Sequence, residues 1–368
     1  MKKSILVIIA GGTITQVQDE YGRTKDSEDV SFQDSIDNIK NRLNERASVM
    51  RHAETYEIEK IKTNNLLNKD SSYITADDWV KLIETIEAEY DNYDAFVITH
   101  GTNTLGYTSA ALSFALVNLG KPVILTGAMV PFMHTGSDAY MNLENAIRIA
   151  AYSKKLILGV MVVFGSMIIT GTRAKKVSNN DYDAFRAYNT VKTIGQIGHT
   201  VYFNKEPYEK HMDIFSERAE SRADLIVKKD FNTNIVSLTE FPGMKSSLLE
   251  NIVNSENPVE GVILRSYGDG DPNVYDNTFN NLKKGFEVLR EKKIPIVVTS
   301  QTINSVATMK INKPGSLARE LGAIPALDMS IEAMTVKLQW LLGNNYNYEQ
   351  IKLDMNQSIR GEISSNLD

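Results

Sequence analysis

"SILVIIAGGTITQ", residues 4–16, governs how the rest of the chain is read. An unbroken apolar run stops at Gly11-Gly12, and Thr13 follows. A run that is β-branched and lacks polar alternation is expected of a strand covered on both faces. Paired glycines allow a tight turn and close approach of a ligand to the backbone. Behind Met1-Lys2-Lys3 the same run imitates a secretion signal. It is only as long as a short signal core, however, and glycines follow it where a small-x-small cleavage site belongs. No stretch approaches the roughly 18–20 apolar residues of a membrane span. The expectation is a cytoplasmic protein, without a membrane partner, whose first run is a buried strand.

The pattern recurs along the chain. Ile5–Ile9, Ala95–Thr99, Pro122–Thr126, Leu158–Phe164, Gly261–Arg265 and Ile294–Ser300 read as buried parallel strands. Helical periodicity lies between them. "TADDWVKLIETIEAEY" opens on Thr75 and Asp78, a capping pair, and continues with Trp79, Leu82 and Ile83 on one face. "TLGYTSAALSFALVNLG", "SDAYMNLENAIRIAAYS" and "NTFNNLKKGFEVLREKK" are also helical. Such alternation predicts an α/β protein built on a doubly wound sheet. The charged stretch from about Lys205 to Asp230 interrupts it and predicts a hairpin, an exposed connection and a domain boundary. The expected domains are residues 1–212 and 231–368, joined by a linker at 213–230.

Composition narrows the functions. A chain of 368 residues suits two domains. Its formal net charge of −6 argues against broad nucleic-acid binding, which needs a basic face. The absence of cysteine excludes disulfides, thiolate nucleophiles and cysteine metal sites. His52, His100, His134, His199 and His211 show no paired ligand spacing, so no metal is expected. There is no phosphate-binding G-x-x-x-x-G-K-[ST] and no G-x-S-x-G nucleophile elbow. "YGDGDPN" has G-x-G without the third glycine, and its aspartates would repel a pyrophosphate.

In open α/β sheets, ligands sit beyond the carboxyl ends of strands. Four such ends carry suggestive residues: Gly11-Gly12-Thr13; His100-Gly101-Thr102-Asn103-Thr104 ahead of a helix; Gly127 in "LTGAMVP"; and "LRSYGDGDPN". Each has a plain alternative. G-G-T alone suits a tight turn, and Thr102 or Asn103 suits a helix cap. A threonine hydroxyl becomes a nucleophile only with a base beside it, and a lysine deprived of water can be that base. "GTRAKKVSNNDYDAF" supplies Lys175 and Lys176, although a lysine pair equally suits a solvated face.

Taken in order, "AGGTIT", "ITHGTNTLGYTSAALSFAL", "KPVILTGAMVP", "SDAYMNLENAI", "GTRAKKVSNNDYDAF", "LRSYGDGDPN", "TSQT", "LGAIPALDMSIEAMTVKLQWLL" and "IRGEIS" resemble the bacterial L-asparaginases, above all the cytoplasmic type I branch. The resemblance spans nearly the whole chain. It implies a two-domain asparaginase-like α/β fold, with a larger N-terminal doubly wound sheet and a smaller C-terminal Rossmann-like domain. It also implies a homodimer or homotetramer, no cofactor, and hydrolysis of a small side-chain amide to a carboxylate and ammonia. The family's nucleophilic threonine falls on Thr13 and its second threonine on Thr102. The family pattern Gly-x-Arg-x-x-Lys selects Lys176 over Lys175. The substrate-carboxylate loop falls on Asp70, Ser71 and Ser72, with Ser71 the principal binder. Tyr21 is the nearest counterpart of the family's N-terminal loop tyrosine, about two positions displaced. Ala128 is implied as a carbonyl for the leaving amide. Backbone N–H groups at Gly12 and Gly101, beside the threonines, are implied for the oxyanion. A related tRNA-dependent amidotransferase subunit carries an extra N-terminal domain. Here the first strand begins by Ser4, which favours the asparaginase reading.

One position departs from the pattern. Where the family has T-D-T, this chain has Thr102-Asn103-Thr104. The family aspartate binds the substrate's α-ammonium and orients the lysine, so Asn103 is placed with the catalytic set. A hydrogen bond to a charged group is worth roughly 1.5–3 kcal/mol against about 1 for a neutral one, so the exchange is expected to cost about tenfold in binding. Asp271 stands where type I enzymes usually have asparagine, which suggests that a carboxylate moved from one position to the other. The departure at Asn103 opens two further readings. One is an enzyme for an amide or peptide without a free α-ammonium; the other is a weakly active or purely binding protein.

Overall fold

Four of the buried runs, joined by four strands that the sequence reading did not single out, make the sheet that carries the candidate residues. The computed structural model describes residues 2–18, 24–26, 31–49, 58–189, 191–220, 224–276 and 280–364. Its strands are β1 (Lys3–Ile9), β2 (Ile58–Asn65), β3 (Ala95–Thr99), β4 (Pro122–Thr126), β5 (Gly159–Phe164) and β6 (Met167–Thr170). A separate antiparallel ladder joins β7 (Ala174–Lys176) to β8 (Phe185–Ala187). Then β9 (Gly195–Ile197) and β10 (Val201–Phe203) return to the sheet. The eight-stranded order is β2-β1-β3-β4-β5-β6-β9-β10. From β2 to β5 the neighbours are parallel, and from β5 onward they are antiparallel.

Helices α1 (Ser31–Val49), α2 (Ala76–Ala88), α3 (Leu105–Ala115) and α4 (Ala139–Ala150) cover this sheet. Ile5 and Val7 of β1 share a cluster with Ile36 and Ile39 of α1 and Leu143 and Ile147 of α4. Leu6 and Ile8 point to the opposite face and are equally buried, which is why the run has no polar alternation. The strand order reverses between β1 and β3, so the ends of those two strands flank a topological switch point, the usual place for a ligand.

Two of the departures from the sequence reading have a plain cause. "IEKIKTNN" forms the edge strand β2, and only Ile58 and Ile61 of it are buried. An edge strand half open to water carries lysine and glutamate, so it lacks the signature of its neighbours. The predicted hairpin after Asn204 is instead a helix, α5 (Lys205–Glu220). Tyr208, Met212 and Phe215 recur at helical spacing and pack with Leu158. A narrow apolar stripe in a charged segment hid it.

The chain forms two units, Met1–Ala187 with Lys192–Lys229, and Tyr188–Val191 with Asp230–Asp368. The second has a parallel sheet in the order β11 (Ile235–Thr239), β12 (Gly261–Ser266), β13 (Ile296–Ser300) and β14 (Ile324–Pro325). Val262, Leu264, Ile296 and Val298 pack there with Leu249, Phe286 and Leu289. Among the described residues, no helix is long and apolar enough to cross a membrane.

A buried ion pair closes the second unit. Lys337, on the helix α6 (Ile331–Gly343), meets the Glu362 carboxylate at 2.6 Å, and both side chains are 0% exposed. Lys337 Nζ also donates to the Gln357 carbonyl at 2.6 Å. Glu362 accepts from the amides of Ile359 and Arg360 at 2.9 and 2.6 Å. These bonds fasten the C-terminal turn to α6. Lys337→Met should cost about 3–5 kcal/mol, because it strands a buried carboxylate, while adding Glu362→Leu should restore most of the loss. Urea unfolding of the two variants checks this.

Candidate active site

Three strand ends meet at backbone distance. After β1, Gly11 and Gly12 take φ values of +105° and +84°, open to glycine and strained for other residues. A Cβ on Gly11 would lie 2.4 Å from Lys69 N, and one on Gly12 would lie 2.2 Å from Gly101 Cα. The loops after β2 and β3 therefore press directly on the first turn. The amide of Ala10 donates to Thr99 O at 3.0 Å and that of Lys69 to Ala10 O at 3.3 Å. Thr13 opens a short 3-10 turn, Thr13–Thr15, anchored by buried Ile14. It is half-buried, and its hydroxyl makes no hydrogen bond among the described residues.

Beyond β3, the chain runs through Gly101, Thr102 and Asn103 to α3. Thr102 is nearly buried. Lys176, the last residue of β7, brings its amine here: Nζ donates to Thr102 Oγ1 at 2.8 Å and to Asn103 Oδ1 at 2.9 Å. Strand alternation sends Lys175 to the other face, opposite Arg186. Burial lowers the proton affinity of Lys176, and the charge of Asp70 offsets part of that effect.

The loop after β2 completes the cluster. Asp70 caps the turn Ser71–Tyr73, its Oδ1 accepting from Ser72 N at 2.7 Å. Ser71 is buried, and a Cβ on Gly101 would lie 2.5 Å from its Oγ. Thr104 Oγ1 donates to Ser71 O at 2.7 Å, and Asn103 Nδ2 donates to Ser72 Oγ at 3.2 Å. Ala128 is buried just beyond β4. A Cβ on the preceding Gly127 would come within 2.4 Å of His100 O, so this strand end also abuts the β3 loop. Tyr21 lies outside the described residues. Asp271 belongs to the second unit, where its Oδ2 accepts from Asn312 Nδ2 at 2.8 Å and from Asp269 N at 3.2 Å.

Behind the cluster is a support that sequence reasoning missed. Asp78 does more than cap α2 through Thr75 N at 2.9 Å; it also pairs with Lys69, the residue before the Asp70 turn. His100 is fully buried. Its Nδ1 faces the Gly101 carbonyl at 2.8 Å, and its Nε2 faces Thr108 Oγ1 at 2.9 Å. A carbonyl only accepts, so Nδ1 carries the proton and Nε2 accepts from Thr108. Trp79 Nε1 in turn donates to Thr108 Oγ1 at 3.0 Å. Capping alone accounted for Asp78 in the sequence, and nothing local to His100 marks Thr108, eight residues on, as its partner.

An α/β enzyme that gathers a hydroxyl-bearing turn, a second threonine and a half-buried lysine at a switch point is the class these features define. The family described as "Asparaginase, N-terminal" matches residues 4–209, and that described as "Glutaminase/Asparaginase C-terminal domain" matches residues 234–355. The chain belongs to the asparaginase family. It is 31% identical over 364 residues to L-asparaginase 1 of Escherichia coli K12, covering 99% of this chain and 98% of that protein. The solved structure of the thermostable L-asparaginase from Thermococcus kodakarensis superposes with a TM-score of 0.79 at 30% identity, covering 98% of this chain and 99% of that one. L-asparaginase I from Vibrio cholerae gives 0.78 at 27% identity, covering 99% and 100%.

Burial pushes His100 down from 6.5 to about 4, with the Gly101 carbonyl and the charge of Asp78 opposing that fall. The unfolded chain therefore takes up a proton that the folded chain refuses between these values, and stability drops as pH falls through this window. At about 1.36 kcal/mol per pH unit, about 2 kcal/mol should be lost through His100 between pH 7 and pH 5. Urea unfolding at the two pH values should show a correspondingly smaller loss in His100→Gln.

Proposed function

We propose that this chain is an L-asparagine amidohydrolase, releasing L-aspartate and ammonia with Thr13 as nucleophile. The observation that carries the reading is the 2.8 Å bond from Lys176 to Thr102, made where the Gly12 and Gly101 backbones touch. Family membership supplies the reaction class, and the relatives named L-asparaginase supply the substrate.

In this mechanism Thr13 Oγ attacks the side-chain amide carbon. The Lys176–Thr102 pair takes up the hydroxyl proton, and backbone N–H groups at Gly12 and Gly101 receive the developing oxyanion. The tetrahedral species expels ammonia after a proton reaches its nitrogen, leaving an acyl ester on Thr13. Water, deprotonated by the same pair, then frees the aspartate and restores the hydroxyl. Ser71, with Asp70 and Ser72 shaping its turn, binds the α-carboxylate. Ala128 offers its carbonyl to the departing amide, and the resemblance assigns Tyr21 to the substrate-binding set. The enzyme works in the cytoplasm as a homodimer or homotetramer, a state that sedimentation would establish.

Thr13→Ala should lower kcat for L-asparagine by on the order of 10³-fold or more, and Lys176→Met by about 10²–10⁴-fold, both read as ammonia release. Unchanged turnover in either variant contradicts the assignment. Asn103→Asp should lower KM for L-asparagine about tenfold, because a carboxylate would meet the α-ammonium. An unchanged KM would place that ammonium elsewhere.

A further inference from the structure

The Asn103 amide is held at both ends. Lys176 Nζ bonds it at 2.9 Å, and Ser72 Oγ lies 3.2 Å away on the other side. An amide nitrogen facing the amine would oppose donor to donor whenever the lysine is charged. The carbonyl Oδ1 therefore faces Lys176, and Nδ2 is left to donate to Ser72. Asn103 is thus oriented toward Lys176 while bringing no negative charge of its own.

The surroundings supply little charge either. Phe185 is the strand partner of Lys176. Helix α3, which packs on β7, has the sequence LGYTSAALSFA and carries no ionisable side chain other than Tyr107. Lys175 and Arg186 occupy the opposite face of the ladder. From the loop after β2, Asp70 is the carboxylate that acts on Lys176.

An uncharged lysine amine has two N–H groups and one lone pair. At this site one N–H can stay on Asn103 Oδ1 while the lone pair turns to the hydroxyl proton of Thr102, 2.8 Å from Nζ. A carboxylate at position 103 would instead favour the ammonium, which has no lone pair. We infer that Asn103 makes Lys176 available as an uncharged base, aiming its amine at Thr102 without supplying the negative charge that would retain its proton. Asn103 thereby trades attraction for the substrate's ammonium for a base that is ready at lower pH. The inference rests on the amidohydrolase reading only for its effect on turnover.

The test compares the full-length protein with Asn103→Asp and Ser72→Ala. The ε-carbon of Lys176 is followed by NMR against pH, its resonance assigned by its loss in Lys176→Arg. Rates of ammonia release from L-asparagine are taken over the same range. An opposite charge at this distance raises a lysine by about one to three pH units, so the Asn103→Asp titration should move up by that much, and the acid limb of kcat/KM with it. Ser72→Ala removes the anchor but alters no charge; its kcat should fall while the limb stays in place. Coincident Lys176 titrations in the parent and Asn103→Asp would overturn the inference, as would an equal shift in Ser72→Ala. Should neither the parent nor Asn103→Asp release ammonia, the amidohydrolase reading falls, and the NMR titration still decides the role of Asn103.

Discussion

The site depends on two backbones touching. Gly12 and Gly101 approach so closely that a single methyl group on the first would sit 2.2 Å from the second. Side chains cannot make such a contact, so the turns after β1 and β3 are held by the absence of Cβ atoms. The positive φ at Gly12 makes the requirement double, since another residue would meet both a clash and an unfavourable conformation. Thr13 and Thr102 are each one residue beyond these glycines. Their nearness follows from the sheet order, with β1 and β3 as neighbours at the point where the winding reverses.

Lysine enters from a different part of the chain. The ladder of β7 and β8 stands apart from the main sheet and delivers Lys176 from its end. Removal of water weakens the ammonium, and the partners it finds, Thr102 and Asn103, are both neutral. The His100–Thr108–Trp79 chain fixes the Gly101 carbonyl from behind, while Asp78 and Lys69 steady the Asp70 turn. Of the groups behind the site, Asp78 and Trp79 are buried in α2 and Thr108 in α3.

Much of this was legible because buried parallel strands announce themselves. β1, β3, β4 and β5 were readable as apolar runs, and their ends pointed to Thr13, Thr102 and Gly127; Ala128 came from the resemblance. The resemblance to the asparaginases, carried by ordered motifs, chose Lys176 over Lys175; pleat alternation shows why only one of the two reaches Thr102. Strand β2 escaped because an edge strand is polar on its open side, although the turn it leads into, at Asp70-Ser71-Ser72, was identified from the resemblance. Helix α5 escaped because its few apolar residues are diluted by charge. The supports Asp78 and His100 were unreadable for another reason: their partners are set by packing between elements. Tyr21 lies outside the described residues.

The central claim is that the hydroxyl of Thr13, in the first turn, attacks the amide carbon that the Lys176–Thr102 pair serves. The most direct measurement is mass spectrometry of the enzyme quenched with acid during turnover of L-asparagine, followed by proteolysis. The account predicts one aspartyl group esterified on the peptide containing Thr13. An aspartyl ester on Thr102, with Thr13 unmodified, would contradict it.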